Sequence, residues 1–276
     1  MNGIDKIIEI ALAEDIHTGD ITTLAMLPQA RRMRARLVAK EPMVLAGVAV
    51  AERVFARLDP TVRFEAAFSD ADRLQVGDII ARIEGDAAAL LQGERVSLNL
   101  LQRMCGIATQ TAAFVKELEG TGARVVDTRK TTPGLRVLEK YSVRVGGGTN
   151  HRTGLYDGVL IKENHIAAAG GILEAVRRAR SYIPHTLKVE IETETLEQVA
   201  LALQAGADII MLDNMSLAEM SEAVLLIGGR ALVEASGGVN LQSIRAIAQT
   251  GVDIISVGAL THSVRAADIS MLMEEY

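Results

Sequence analysis

The residues best suited to chemistry recur at the ends of short apolar runs. Val125-Val126 is followed by Asp127-Thr128-Arg129-Lys130, and Val159-Leu160-Ile161 by Lys162-Glu163-Asn164-His165. Lys188-Val189-Glu190-Ile191-Glu192 forms a third set, Asp213-Asn214 a fourth, Ser236-Gly237-Gly238 a fifth and Gly258 a sixth. A single Ser or Asp at such a place is most often a helix cap. Six sets in succession, bringing bases as well as carboxylates, are hard to explain by capping. They fit the carboxyl ends of parallel strands, where α/β barrels build their active sites.

Two of these sets have the composition of phosphate grips. Ala235-Ser236-Gly237-Gly238 precedes a predicted helix, and Ser256-Val257-Gly258-Ala259 follows the last predicted strand. Glycine lets backbone N–H groups approach an oxyanion, and a helix N-terminus adds its positive dipole end. Tight turns use glycine as well, but loops after the last two strands are the usual phosphate site of a barrel. Gly146-Gly147-Gly148 leads into Thr149-Asn150-His151-Arg152. This is either a flexible connector or a receptor for carboxylates, which Arg takes in bidentate fashion. His151 and His165 lack metal-ligand spacing, so no zinc site is read. Lys162 follows an apolar run, which places its ammonium at the strand mouth with no buried partner expected. Arg95 shares a helical face with Leu91 and Leu98; it is either a snorkelling stem or a group that crosses a subunit interface.

Charge supports a small anionic ligand. The net charge is −6, which argues against general nucleic-acid binding. Between Arg124 and His165, however, eight bases stand against four acids. A positive field inside an acidic protein suits a small anion better than a polyanion, although a solvated helical face would produce the same excess.

The elements that must position these residues fall into two textures. Arg34–Lys40, Val62–Phe68 and Ile79–Ile83 read as strands, with a helix over 47–58 and a turn at Val76-Gly77-Asp78. A helix over Ala87–Met104 is expected to flow into a second over Ile107–Leu118. After Gly122 short strands alternate with helices at 172–180, 196–205 and 244–249, a pattern of parallel strands with crossover helices. Six units over this length predict a small or incomplete α/β barrel, with a doubly wound open sheet as the alternative. With 276 residues, 49% of them hydrophobic and only 3% aromatic, the core must be aliphatic. Cys105 is the single cysteine, which excludes an internal disulfide. No export signal or apolar stretch of the roughly 20 residues a membrane span needs is evident, so a cytoplasmic protein without membrane contact is expected.

Glu94-Arg95-Val96-Ser97-Leu98-Asn99, Gly106-Ile107-Ala108-Thr109 and the run from Asp127 to Arg136 share a further property. So do Glu139-Lys140-Tyr141, the run from Gly146 to Arg152, Leu160 to His165, Leu212-Asp213-Asn214, Glu234 to Gly238 and Ser256 to Ser263. Together with Glu14-Asp15 and Gly19-Asp20-Ile21-Thr22, they resemble the quinolinate phosphoribosyltransferase family, also called nicotinate-nucleotide pyrophosphorylase (carboxylating). The match runs from about residue 11 to 270. Cys105 stands where that family often has Ser.

The resemblance implies an N-terminal open-faced α/β sandwich domain, residues 1–105 with 264–276 returning to it. An incomplete TIM-like α/β barrel would follow over 106–263. It implies a decarboxylating pentosyltransferase of NAD biosynthesis that joins quinolinate to phosphoribosyl pyrophosphate with Mg²⁺. A homodimer or hexamer, with sites at the subunit interface, is implied too. By position, Arg129, His151, Arg152 and Lys162 would hold the quinolinate carboxylates, joined by Arg95 of a neighbouring subunit. Thr128 belongs to the same substrate-binding set. Lys130, Glu192 and Asp213 would face the ribose, the pyrophosphate and its Mg²⁺, and carry the catalysis. Ser236, Gly237, Gly238 and Gly258 would hold the 5′-phosphate. A related protein of molybdate-transport operons shares this frame, but the string Ile161 to His165 favours quinolinate. A phosphosugar isomerase or lyase would explain the phosphate loops without the four bases, and a non-enzymatic scaffold would be expected to have lost some of them.

Overall fold

The computed structural model describes residues 3–27 and 29–274. Met1, Asn2, Pro28, Glu275 and Tyr276, which the expected domain limits include, lie outside these. In chain order the elements begin α1 (Gly3–Ile16), α2 (Ile21–Met26), β1 (Arg32–Ala39), β2 (Met43–Val44), α3 (Val48–Leu58), β3 (Arg63–Ala66), β4 (Arg73–Leu74), β5 (Ile79–Asp86) and α4 (Ala87–Glu117). They continue β6 (Arg124–Val126), α5 (Arg136–Val145), β7 (Val159–Ile161), α6 (Glu163–Ala169), α7 (Ile172–Tyr182), β8 (Val189–Thr193), α8 (Leu196–Gln204) and β9 (Ile209–Asp213). The last are α9 (Leu217–Ile227), β10 (Leu232–Ser236), α10 (Ile244–Gln249), β11 (Ile254–Ser256), α11 (Ala259–His262) and β12 (Ile269–Glu274). Among the described residues no helix is long and apolar enough to cross a membrane.

The chain forms two compact units, each drawn from separate stretches of sequence. The first comprises Met1–Ala112, Thr131–Gly147 and Ser263–Tyr276; the second comprises Ala113–Lys130 and Gly148–His262. In the first, an antiparallel sheet of order β12-β1-β5-β3 buries one face. Ala35, Leu37, Ile80 and Ile83 pack there with Phe55 of α3 and Leu90, Leu98 and Leu101 of α4. The other face of β1 carries Arg32, Arg34 and Arg36, ion-paired across the strands with Glu84 and Glu274. This is the period-two alternation of a sheet covered on one side. β12 pairs with β1 from Arg34↔Glu274 to Ala39↔Ile269.

Two details differ from the reading of the sequence. The helix expected to break between Met104 and Ile107 is continuous from Ala87 to Glu117. Gly106, between the two expected helices, is a point of close approach: a Cβ there would stand 2.2 Å from the carbonyl oxygen of Arg265. Residues 131–147, expected within the barrel, belong to the first unit. Arg103 of α4 holds them, bonding Glu139 at 2.6 Å and the Thr132 hydroxyl at 2.7 Å. Tyr141 donates to Asp70 at 2.6 Å, so Glu139-Lys140-Tyr141 serves as a structural brace. Cys105 is fully buried and its thiol is pushed up to about 12, chiefly by burial, which makes it unreactive.

The second unit carries six parallel strands in the order β6-β11-β10-β9-β8-β7. From β7 to β11 each strand joins the same edge, and β6 then bonds β11. This is the cyclic order of a barrel, not the reversing order of a doubly wound sheet. The ring is unclosed between β6 and β7. Into that gap comes the segment after Gly148: Thr149 bridges Val126 in parallel and exchanges bonds with Val125 and Asp127.

Candidate active site at the strand mouths

The barrel order sets the arrangement of the site. A cavity of about 810 Å³ at the carboxyl ends of the strands is lined by Thr128, Arg129, Lys130, His151, Arg152, Lys162, Glu192, Asp213, Ser236, Gly237, Gly238 and Gly258. Around the ring, the bases Arg129, Arg152 and Lys162 cluster at β6, the gap and β7. The carboxylates of Glu192 and Asp213 follow on β8 and β9, and the glycine loops on β10 and β11 complete the circle. Carboxylates therefore stand between a basic end and a glycine-rich end. Arg95 lies on α4 in the first unit, where its side chain is 60% exposed and meets Glu94 at 3.9 Å.

The basic end is built on Asp127, which is fully buried at the end of β6. Its carboxylate accepts from Asn150 Nδ2 at 2.6 Å and from the His151 N–H at 2.9 Å. That fastens the glycine-rich segment in the barrel gap and aims Arg152 into the cavity. Arg152 donates to the Gly158 carbonyl at 3.1 Å. Burial, and then the nearby Arg129 guanidinium, push it down from the usual guanidinium range. Two guanidiniums held together in this way favour an anion between them. The Thr128 hydroxyl accepts from the Lys130 N–H at 3.0 Å, and Thr261 donates to the Lys130 carbonyl at 2.8 Å, so the loop has a fixed course.

Beneath this end lies a buried cluster. His151 Nε2 meets Glu190 Oε2 at 3.0 Å and Glu234 Oε2 at 3.6 Å, while its Nδ1 accepts from the Arg152 N–H at 2.8 Å. The pattern places the ring proton on Nε2 and turns both nitrogens to protein partners. The expected carboxylate contact from His151 would thus require the ring to turn, and here the side chain forms the floor of the site. Burial, and next the facing Glu190 carboxylate, raise Glu234 to about 8 against the opposing pull of His151. Oε1 of each glutamate is buried without a hydrogen-bond partner.

At the remaining strands, Lys162 is paired with Glu192, a partner the sequence did not predict. The Lys162 N–H also donates to His165 Nδ1 at 3.0 Å, so His165 caps α6. Gly237 and Gly238 have φ of +99° and +59°, as glycine permits. The loop they form does not run directly into a helix, since α10 begins at Ile244; a phosphate there would meet the loop's own amides. Gly258 does open a helix, the short α11. A Cβ on it would stand 3.1 Å from the His262 ring and 3.2 Å from Lys130 Cδ, so its absence lets both approach.

Asp127, Glu190 and Asn214 lay in the strand-end sets without a role assigned to them, and Glu234 and His262 were given none either. Further signals were present for Glu190, Glu234 and His262. Strand periodicity puts Glu190 on the face of Glu192 and Glu234 on that of Ser236, and His262 lies one helical turn beyond Gly258.

Residues 107–272 match the quinolinate phosphoribosyl transferase C-terminal domain, and residues 20–105 match the N-terminal domain of the same family. A probable nicotinate-nucleotide pyrophosphorylase (carboxylating) of Bacillus subtilis is 48% identical, over 97% of this chain and 92% of that protein. NadC from Streptococcus pyogenes superposes with a TM-score of 0.95 at 45% identity, covering 99% of this chain and 97% of that one. The nicotinate-nucleotide pyrophosphorylase from Francisella tularensis gives 0.94 at 41% identity, covering 99% and 96%.

Proposed function

This chain belongs to the quinolinate phosphoribosyl transferase family, and we propose from that premise how its strand-mouth cavity performs the reaction. The activity is transfer of a phosphoribosyl group to quinolinate with decarboxylation, a step of NAD biosynthesis. The observation that carries the residue assignment is the order around the ring: bases, then carboxylates, then glycine loops.

Arg129, Arg152 and Lys162 take the two quinolinate carboxylates, and Ser236, Gly237, Gly238 and Gly258 take the 5′-phosphate. The anomeric carbon then lies before Glu192 and Asp213. The pyridine nitrogen lone pair forms the bond to that carbon as the bond to the pyrophosphate oxygen breaks, and the leaving oxygen keeps the electron pair. Positive charge that develops on the ribose is stabilised by the two fixed carboxylates. Lys130, whose stem lies beside Gly258, is assigned to the departing pyrophosphate. The carboxyl group next to the quaternary nitrogen leaves as carbon dioxide. Its bonding pair stays on the ring carbon and takes a proton from water.

Mg²⁺ fits this site as a companion of pyrophosphate. Asp213 is half-buried with Oδ2 accepting from Asn214; Mg²⁺ typically uses one or two carboxylates together with substrate oxygens. When bound it would neutralise charge on the leaving group.

The test is incubation of the protein with quinolinate, phosphoribosyl pyrophosphate and Mg²⁺. One carbon dioxide per nicotinate mononucleotide is expected, with no comparable use of nicotinate, which lacks the second carboxylate. Equal turnover of nicotinate would overturn the assignment.

The reading extends to a cytoplasmic homodimer or larger assembly in which Arg95, exposed on its own subunit, serves a neighbour's site. Arg95→Ala and Lys162→Ala proteins, each inactive alone, are expected to recover activity when their subunits exchange. A heterodimer would hold one site with both residues intact. Absence of recovery under verified exchange would place Arg95 in its own subunit's site or outside any site.

A further inference from the structure

A single residue in left-handed backbone ties two parts of the cavity together. Asn214, directly after β9, has φ +55°, a conformation asparagine tolerates because its short amide can bond locally. Three contacts follow from that turn. The Asn214 N–H donates to the Ser236 carbonyl at 3.0 Å, one step beyond the Asp213↔Ser236 register of β9 and β10. Its Nδ2 donates to Asp213 Oδ2 at 2.9 Å. Its Oδ1 and Cγ fill the space over Gly237, 2.1 and 2.5 Å from where a Cβ on that glycine would stand.

We propose that Asn214 is a positioning residue, whose amide orients the Asp213 carboxylate toward the ribose and braces the Gly237 loop toward the 5′-phosphate. Asp213 and the loop grip the same phosphoribosyl group from two strands, so their spacing must be held. The amide couples them through one rigid plane, and Gly237 provides the space it needs. The inference deepens the phosphoribosyl-transfer reading and rests on it.

The geometry separates this role from a structural one. The bond from the Asn214 N–H to Ser236 is backbone to backbone and survives any side chain. The amide itself is exposed to the cavity, so its loss should leave the fold intact. Asn214→Gly keeps the left-handed turn without strain and deletes the amide. Asn214→Asp keeps the shape but sets a second carboxylate against Asp213.

The experiment compares both variants with the wild type in steady-state kinetics, with Tm measured alongside. Misplacement on this scale costs up to about 10²-fold. Both variants are expected to lose kcat toward that limit, and Asn214→Gly also to raise KM for phosphoribosyl pyrophosphate by roughly tenfold. KM for quinolinate should stay within about twofold, and Tm within about 2 °C. Because the kcat effect acts through Asp213, adding Asn214→Gly to Asp213→Asn should lower kcat no further. Unchanged kinetics in both variants would overturn the proposal. So would additive losses in the double variant, or parallel increases in both KM values with a fallen Tm. A wild type that makes no nicotinate mononucleotide would sink the functional reading and this inference with it. An active wild type with unaffected variants would sink the role of Asn214 alone.

Discussion

Lys162→Met is expected to lower kcat/KM for quinolinate by about one and a half to three and a half decades, while binding of phosphoribosyl pyrophosphate changes little. The ammonium stands at the mouth of β7, half exposed and paired with Glu192. A quinolinate carboxylate would cover it, and removing one partner of a desolvated charge pair costs about 2–5 kcal/mol, at tenfold per 1.4 kcal/mol. Methionine keeps most of the stem volume, so packing is nearly unchanged. The phosphate loops lie on β10 and β11, away from β7, which is why the second substrate should be spared. The sequence predicted no buried partner for Lys162. The structure supplies Glu192, whose side chain is only 14% exposed. The variant should therefore also lose a little stability, about 1 kcal/mol at most for so exposed a lysine. Steady-state kinetics with calorimetry decides the matter. A loss below tenfold, or an equal loss in binding of phosphoribosyl pyrophosphate, would remove Lys162 from the quinolinate site.

Glu234→Gln is expected to flatten the pH dependence of stability between about pH 5 and pH 8. Burial and the facing Glu190 raise Glu234 from 4.5 to about 8 in the folded protein. The folded state therefore keeps a proton that the unfolded chain releases above about 4.5. Over that window stability falls as pH rises, with a slope of at most about 1.4 kcal/mol per pH unit. The favourable contribution is complete below the unfolded value and gone above the folded one. Glutamine resembles the protonated acid, carries no proton to lose, and should remove the slope. In a chain of this size each kcal/mol moves Tm by roughly 2–4 °C. The variant should gain on the wild type by several degrees between pH 5 and pH 8. Parallel Tm profiles would show that Glu234 is ionised throughout that range.

The two predictions differ in how far the sequence could have reached them. Lys162 was legible because its type, its place after Val159-Leu160-Ile161 and its family string all pointed to the same role. Every strand of the barrel was legible for a similar reason, since short apolar runs ending in polar residues are local patterns. Gly106 shows where local reading fails. Glycine is both a helix stop and a point of close approach, and only the carbonyl of Arg265 decides between them. The C-terminal strand β12 carries a weak alternation and becomes a strand by pairing with β1, more than 200 residues earlier.

The sequence alone determined the family, through its motif strings, the polar sets that end the short parallel strands, and the aliphatic cores. These depend on residue type and on spacing within a few positions, and such information is complete in the chain. Tertiary structure alone decided that the ring stays open between β6 and β7 and that the His151 segment fills the gap. It also decided that Lys162 meets Glu192, and that His151, Glu190 and Glu234 share one buried space. Those facts join groups from separate strands, tens of residues apart. Their energies depend on distance and on exclusion of water, and neither exists until the barrel has formed.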